Sequence, residues 1–273
     1  MNIIKLYDDI YQYIREYIDI NNLLDTSKLL KDVKRKIKYY SLNRLYSLKF
    51  YENNLFRRQI LDLIKYPHIN LALNLNFKNI SDVSSLGCAH TLNLMGCYMI
   101  TDVSALGGVQ ILNVSYCIKI NDVSALGSVH TLNLNGCNKI TDVSMLGGVN
   151  TLYLKYCYDI SDVSMLGNLY TLDLTQCNNV SDVSALGNLH NLYLMGCQQI
   201  TDVSALGGLK ILNLRGCNKI NDVSMLGNVH TLDLSYCYEI TDVSALDNVQ
   251  ILNLSGCNKV TDVSMLDNSR IIR

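Results

Sequence analysis

Three residue types that can do chemistry recur in this chain at one fixed spacing. Nine cysteines run from Cys97 to Cys257 in steps of 20, with Cys88 as an extra. His90, His130, His190 and His230 share one column of the same period. Ten copies of Asp-Val-Ser run in register from Asp82 to Asp262. Cysteine, histidine and aspartate are the usual ligands of zinc, and a Cys–His pair is a thiol nucleophile with its base. A ladder of carboxylates raises calcium, which some repeat coils bind.

The spacing argues against each of these. The nearest histidines of the column are two repeats apart, roughly 10 Å by strand spacing, whereas zinc holds its nitrogens at about 2.0–2.1 Å. A catalytic site is built once with its own orienting groups, yet cysteine recurs in nine equivalent settings. Calcium-binding coils use Gly-Gly-x-Gly-x-Asp loops, and this repeat offers one Asp. An Asp following a turn more often accepts backbone N–H groups. The expectation is no catalytic residue, no metal site and no cofactor, with the cysteines reduced and buried as small apolar groups.

An unbroken period of 20 residues is the mark of a solenoid. In the coil from Val109, the apolar residues are Val109, Leu112, Val114, Cys117, Ile120, Val123 and Leu126, and the next coil repeats them from Val129. The Leu-x-Leu pair has period 2, so both side chains point one way from a strand. The pattern resembles that of leucine-rich repeats, at the short end of their range. The expected fold is an α+β solenoid. A small N-terminal helical domain over 1–70 doubles as a cap. A ten-coil leucine-rich-repeat array follows over 71–273, with a parallel sheet on its concave face. Too few residues remain in each coil for a regular helix, so the convex face should hold turns or 3₁₀ segments. Glycine occupies one column from Gly87 to Gly227, then Asp247 and Asp267. Both types tolerate positive φ, so a left-handed turn is expected there. The first coil is irregular, with Phe77 at the place assigned to Cys.

Hydrophobic residues make up 49% and charged residues 17%, a globular balance. No run of about 18 apolar residues suggests a membrane span. The net charge of −1 divides into 13 Lys and Arg against 8 Asp and Glu in residues 1–70, and 10 against 16 in the remainder. Neither half is basic enough to argue for nucleic acid. The start, Met-Asn-Ile-Ile-Lys-Leu-Tyr-Asp-Asp-Ile, lacks the apolar core of a signal peptide. With free cysteines, this predicts a reducing, cytoplasmic setting.

Residues 1–70 do not repeat. Leu6, Ile10, Ile14 and Ile18 step by four and form one apolar helical face; Leu23 and Leu24 suggest a second helix, Lys31 to Lys38 lie on a third, and Leu55 to Ile64 suggest another, ending near Pro67. The segment from Leu6 to Ser27 resembles an F-box, with Tyr7 in place of the family's proline. The repeat Leu-Asn-Leu-Asn-Gly-Cys-Asn-Lys-Ile-Thr-Asp from Leu132 is similar to the cysteine-containing repeats of F-box/leucine-rich-repeat proteins, and also to internalin-type repeats. The combination resembles giant-virus F-box repeat proteins, which implies the host cytoplasm as the location. The resemblance implies a non-catalytic adaptor. Leu6, Ile10, Ile14, Ile18, Leu23 and Leu24 would meet a Skp-type adaptor of a cullin ubiquitin ligase, and the repeats would choose the protein to be recruited. The alternatives are a plain interaction scaffold, with residues 1–70 only a cap, and an internalin-like adhesin.

The residue between the two leucines of each coil should face outward from the sheet. Departures from the coils' own average cluster at Tyr153, Lys155, Tyr156, Asp173, Gln176, Tyr193 and Met195, with Arg215 beside them. Tyrosine and arginine are favoured at binding hot spots, so these residues form the expected concave binding face for an unknown protein.

Overall fold

The computed structural model describes residues 39–63, 70–266 and 270–272. The six residues expected to meet an adaptor, Leu6, Ile10, Ile14, Ile18, Leu23 and Leu24, lie outside the described residues, as does Lys31 to Lys38.

Among the described residues, twelve strands form one sheet in chain order. They are β1 (Tyr39–Ser41), β2 (Asn70–Asn74), β3 (Thr91–Asn93), β4 (Ile111–Asn113), β5 (Thr131–Asn133), β6 (Thr151–Tyr153), β7 (Thr171–Asp173), β8 (Asn191–Tyr193), β9 (Ile211–Asn213), β10 (Thr231–Asp233), β11 (Ile251–Asn253) and β12 (Arg270–Ile272). All pairs are parallel, and from β3 to β11 each residue faces its counterpart in the next repeat, as Leu112 faces Leu132. One strand per near-identical coil, stacked on its copy, is a leucine-rich-repeat solenoid. The leucine pair of each coil is buried, as at Leu132 and Leu134, because the next coil covers it.

The two ends depart from the period. Leu73 faces Leu92, and Leu252 faces Ile271, each an offset of 19 residues. Tyr40 faces Leu71, an offset of 31. The strand Tyr39–Ser41 thus precedes the boundary drawn at residue 70 and already belongs to the sheet. Two helices fill the longer connection, α1 (Arg44–Glu52) and α2 (Asn54–Leu63). Each is entered through an asparagine: Asn43 Oδ1 accepts from Tyr46 N at 3.0 Å, and Asn53 Oδ1 from Phe56 N at 2.9 Å. Phe50 and Ile60 are buried in the same core as Leu71 and Leu73. Ser47 Oγ donates to Leu42 O and accepts from Asn74 N, tying α1 to the sheet.

The convex side carries short 3₁₀ helices, from Ser104–Leu106 to Ser244–Leu246. The aspartate ladder sets them up. In all ten copies the Asp Oδ1 accepts the Ser N–H two residues on, at 2.8–2.9 Å. The aspartates are therefore turn formers, as their place after the turn predicts.

Two expectations need correction. The glycine column does not have positive φ: Gly107, Gly127, Gly167, Gly187 and Gly227 lie near −60°, as does Asp247. Glycine is required there by close approach. A Cβ on Gly187 would stand 2.3 Å from Ala205 O in the next coil, and on Gly147 2.6 Å from Met165 O. Positive φ belongs to the column before the ladder cysteine, at Gly96, Tyr116, Gly136, Tyr156, Gln176 and onward. Phe77 belongs to that column too, with φ 53°, and does not occupy the cysteine position.

Candidate protein-binding face

The cysteine ladder is chemically quiet. All ten thiols are free; the nine ladder members are buried and Cys88 is exposed. Each ladder Sγ donates to the carbonyl of the strand leucine or valine one coil earlier, as Cys137 to Val114 O at 3.3 Å and Cys257 to Leu234 O at 3.0 Å. The thiol is thus a buried donor as well as an apolar filler. Burial pushes Cys117, Cys157, Cys197, Cys217 and Cys237 up to about 12, and Cys137 and Cys177 also upward. Such thiols give almost no thiolate near neutral pH, so they are poor nucleophiles. With a thiol reagent at pH 8, Cys88 is expected to be the one accessible thiol of the native protein, slowed by the partial burial that pushes its pKa up, and all ten should react in denaturant. Rapid labelling of most thiols before unfolding would contradict the ladder's burial.

The histidine column has other work as well. His190 stacks on Tyr170 at 4.4 Å between ring centroids, with Tyr170 Oη and His190 Nε2 3.3 Å apart. Among the described residues, no group of three or more His, Cys, Asp or Glu is placed to hold a metal ion, and no helix is long and apolar enough to cross a membrane.

The column between the two leucines differs from its expected role. Its Asn and Asp side chains are half-buried or buried and accept the backbone N–H two residues on. Asn93 holds Met95 N, Asn133 holds Asn135 N, Asn213 holds Arg215 N and Asp233 holds Ser235 N, at 2.9–3.0 Å. These caps turn the chain out of the sheet. Tyr153 cannot supply that oxygen. Lys155 N is held instead by Asn135 Oδ1 of the preceding coil, at 2.7 Å. Tyr193 also stands in this column without a carboxyl or amide oxygen. The two tyrosines therefore break a structural rule of the repeat.

They flank a single residue of the strand between them. Register places Tyr153 of β6 beside Asp173 of β7, and Asp173 beside Tyr193 of β8. Asp173 is buried, contrary to its expected exposure, and its Oδ1 accepts from Thr175 N at 3.0 Å. Its other oxygen pairs with Lys155 Nζ at 3.1 Å. The Lys155 side chain is 40% exposed against 6% for Asp173, so the ammonium is the half presented to solvent. Met195 and Arg215 follow on the next coils, half-buried and exposed. Tyr156 and Gln176, in contrast, lie in the positive-φ column, three residues past the ends of β6 and β7. The structure thus gathers Tyr153, Lys155, Asp173, Tyr193, Met195 and Arg215 on the concave side and puts Tyr156 and Gln176 on its rim. Half-exposed tyrosines around a held charge suit contact with another protein, where rigid aromatic rings give area at little entropic cost.

No protein-family model matches the sequence, and no curated protein matches it significantly. Solved structures similar to it include two internalins of Listeria monocytogenes. Internalin inlF is 20% identical over 73% of this chain and 85% of its own length, with a TM-score of 0.46. Internalin C2 is 23% identical over 74% and 79%, with a TM-score of 0.41. The functional domain of InlJ from the same organism, which includes a cysteine ladder, is 19% identical over 68% and 61%, with a TM-score of 0.37. The assignment of the fold here rests on the strand register itself.

Proposed function

We propose that this chain is a non-catalytic protein-interaction scaffold that binds another protein on the concave side of its sheet. One observation carries the reading: Tyr153 and Tyr193 interrupt the capping column on either side of the Lys155–Asp173 pair. A coil that replaces its own capping oxygen with a half-exposed ring, leaving Lys155 N to be held by Asn135 of the coil before, presents that ring to something outside itself. The finer reading, recruitment to a Skp-type adaptor and cullin ligase in the cytoplasm, is supported by the F-box-like segment from Leu6 to Ser27 alone.

Two variants separate these layers. Tyr153→Ala combined with Tyr193→Ala should retain the melting transition and lose the captured protein, by about 2 kcal/mol or more if the rings are hot spots. Ile10→Asp should abolish binding to a Skp-type adaptor and leave concave-face capture intact, provided its melting is unchanged. If the tyrosine variant captures the same proteins as the parent at equal strength, the scaffold reading fails. If the unaltered chain binds no Skp-type adaptor at micromolar concentration, the ligase layer goes and the scaffold remains.

A further inference from the structure

The residue before each ladder cysteine forms a rim where the strands end. From Phe77 through Gly256 every member of this column has positive φ. Glycine in one coil lies under the side chain of the coil before it. A Cβ on Gly96 would fall 2.4 Å from the Phe77 ring, on Gly136 2.7 Å from the Tyr116 ring, on Gly196 2.1 Å from the Gln176 amide, and on Gly256 2.9 Å from the Tyr236 ring. Gly216 differs, with nothing within 4 Å. The reason is in the sequence: the coil before it contributes Gly196, which has no side chain to lay across. The rim therefore has a notch one side chain wide, between Gln176 and Tyr236.

The notch belongs to an open cavity of about 320 Å³. Its floor is the Gly216 backbone, whose carbonyl accepts from Gln198 Nε2 at 2.8 Å. Arg215 stands at its side with its guanidinium carbon 4.7 Å from the Tyr236 ring centroid, and Met195 also lines it. Asn218 Oδ1 is buried there and accepts no hydrogen bond from the described residues.

We propose that this notch receives one aromatic side chain from the protein bound on the adjoining concave face. The inference rests on the protein-binding reading. The occupant follows from the molecule's own pattern: the equivalent places over Gly96, Gly136 and Gly256 are filled by Phe77, Tyr116 and Tyr236. A ring over Gly216 would meet the Arg215 cation and the Met195 thioether, both favourable partners of aromatic faces and edges. Met195 and Arg215 are shared with the concave site, so a single bound chain can reach both.

The test uses the full isotope-labelled chain with N-acetyl-tyrosinamide as probe and N-acetyl-leucinamide as comparison. A lone side chain binds on the order of millimolar. The amides of Gly196 and Gly216 should shift saturably with the tyrosine probe and not with the leucine probe. Gly196→Tyr should fill the notch from within and abolish the shift; tyrosine already occupies this backbone conformation at 116, 156 and 236, and the Gln176 amide, the far end of a flexible side chain, must swing aside for it. Arg215→Ala, at an exposed side chain, should weaken the probe about two- to fivefold, the range of an exposed cation–π contact. Equal shifts with the leucine probe, or a shift retained in a natively melting Gly196→Tyr protein, would overturn the proposal. Should that variant not fold, unchanged affinity in Arg215→Ala overturns it. Either failure leaves the scaffold reading standing, because that reading is judged by protein captured on an intact notch.

Discussion

Gly187→Ala is expected to cost the array about 3 kcal/mol, the upper part of the usual range for overpacking. Gly187 has φ −65° and ψ −16°, a conformation alanine adopts without strain. Conformational entropy alone would favour the change by about 0.4–1 kcal/mol. The added methyl carbon would lie 2.3 Å from the Ala205 carbonyl oxygen, however, and backbone cannot swing aside as a side chain can. The clash wins, and for a chain of this size the melting temperature should fall by about 6–12 °C. Gly216→Ala is the control. There φ is +70° and no atom is within 4 Å, so only left-handed strain of about 1–2 kcal/mol opposes it. Thermal melting of both variants decides the order. If Gly216→Ala proves the more damaging, conformation rather than close approach governs the glycines.

Acid should unfold the protein through the aspartate ladder. Hydrogen bonds from the serine N–H, and then the serine hydroxyl, hold the carboxyls of Asp82 through Asp262 below their usual value. A depressed folded pKa stabilises above the unfolded value, near 3.9, and that contribution is lost as pH falls through the folded one. Stability should be nearly flat from pH 7 to about 5, then drop with a slope that counts the protons taken up on unfolding. Ten equivalent sites make the limb steep. Asn keeps the accepting oxygen and does not titrate, so Asp122, Asp142, Asp162 and Asp182 all changed to Asn should give a shallower limb with little change at pH 7. An identical slope would show that the ladder is not the acid sensor.

What was legible in the sequence follows from how the repeat is built. Leucines at period 2 and one cysteine per coil are inward columns, and burial repeats with the coil, so sheet, core and quiet thiols could be read directly. The aspartate turn was legible because the accepting oxygen and its N–H lie two residues apart in the chain. Glycine was misread because positive φ and close approach select the same residue. A signal did exist. The true positive-φ column mixes Gly with Tyr, Gln and Phe, which a site with room permits, whereas the Gly87 column admits a side chain only at the end of the array, at Asp247 and Asp267. The strand Tyr39–Ser41 escaped notice because Tyr-Tyr-Ser lacks the leucine pair and pairs 31 residues on. Asp173 was read as a surface residue because alternation fixes which way a side chain starts, not the ion pair with Lys155 that then covers it.

The central claim is that a protein binds the concave side around Tyr153 and Tyr193, and backbone hydrogen exchange with and without a captured partner tests it most directly. The account predicts added protection in the segments 151–156, 171–176 and 191–196, with the convex 3₁₀ helices such as Ser164–Leu166 and Ser184–Leu186 unchanged. Protection confined to the convex helices, or to residues before the repeats, would contradict it.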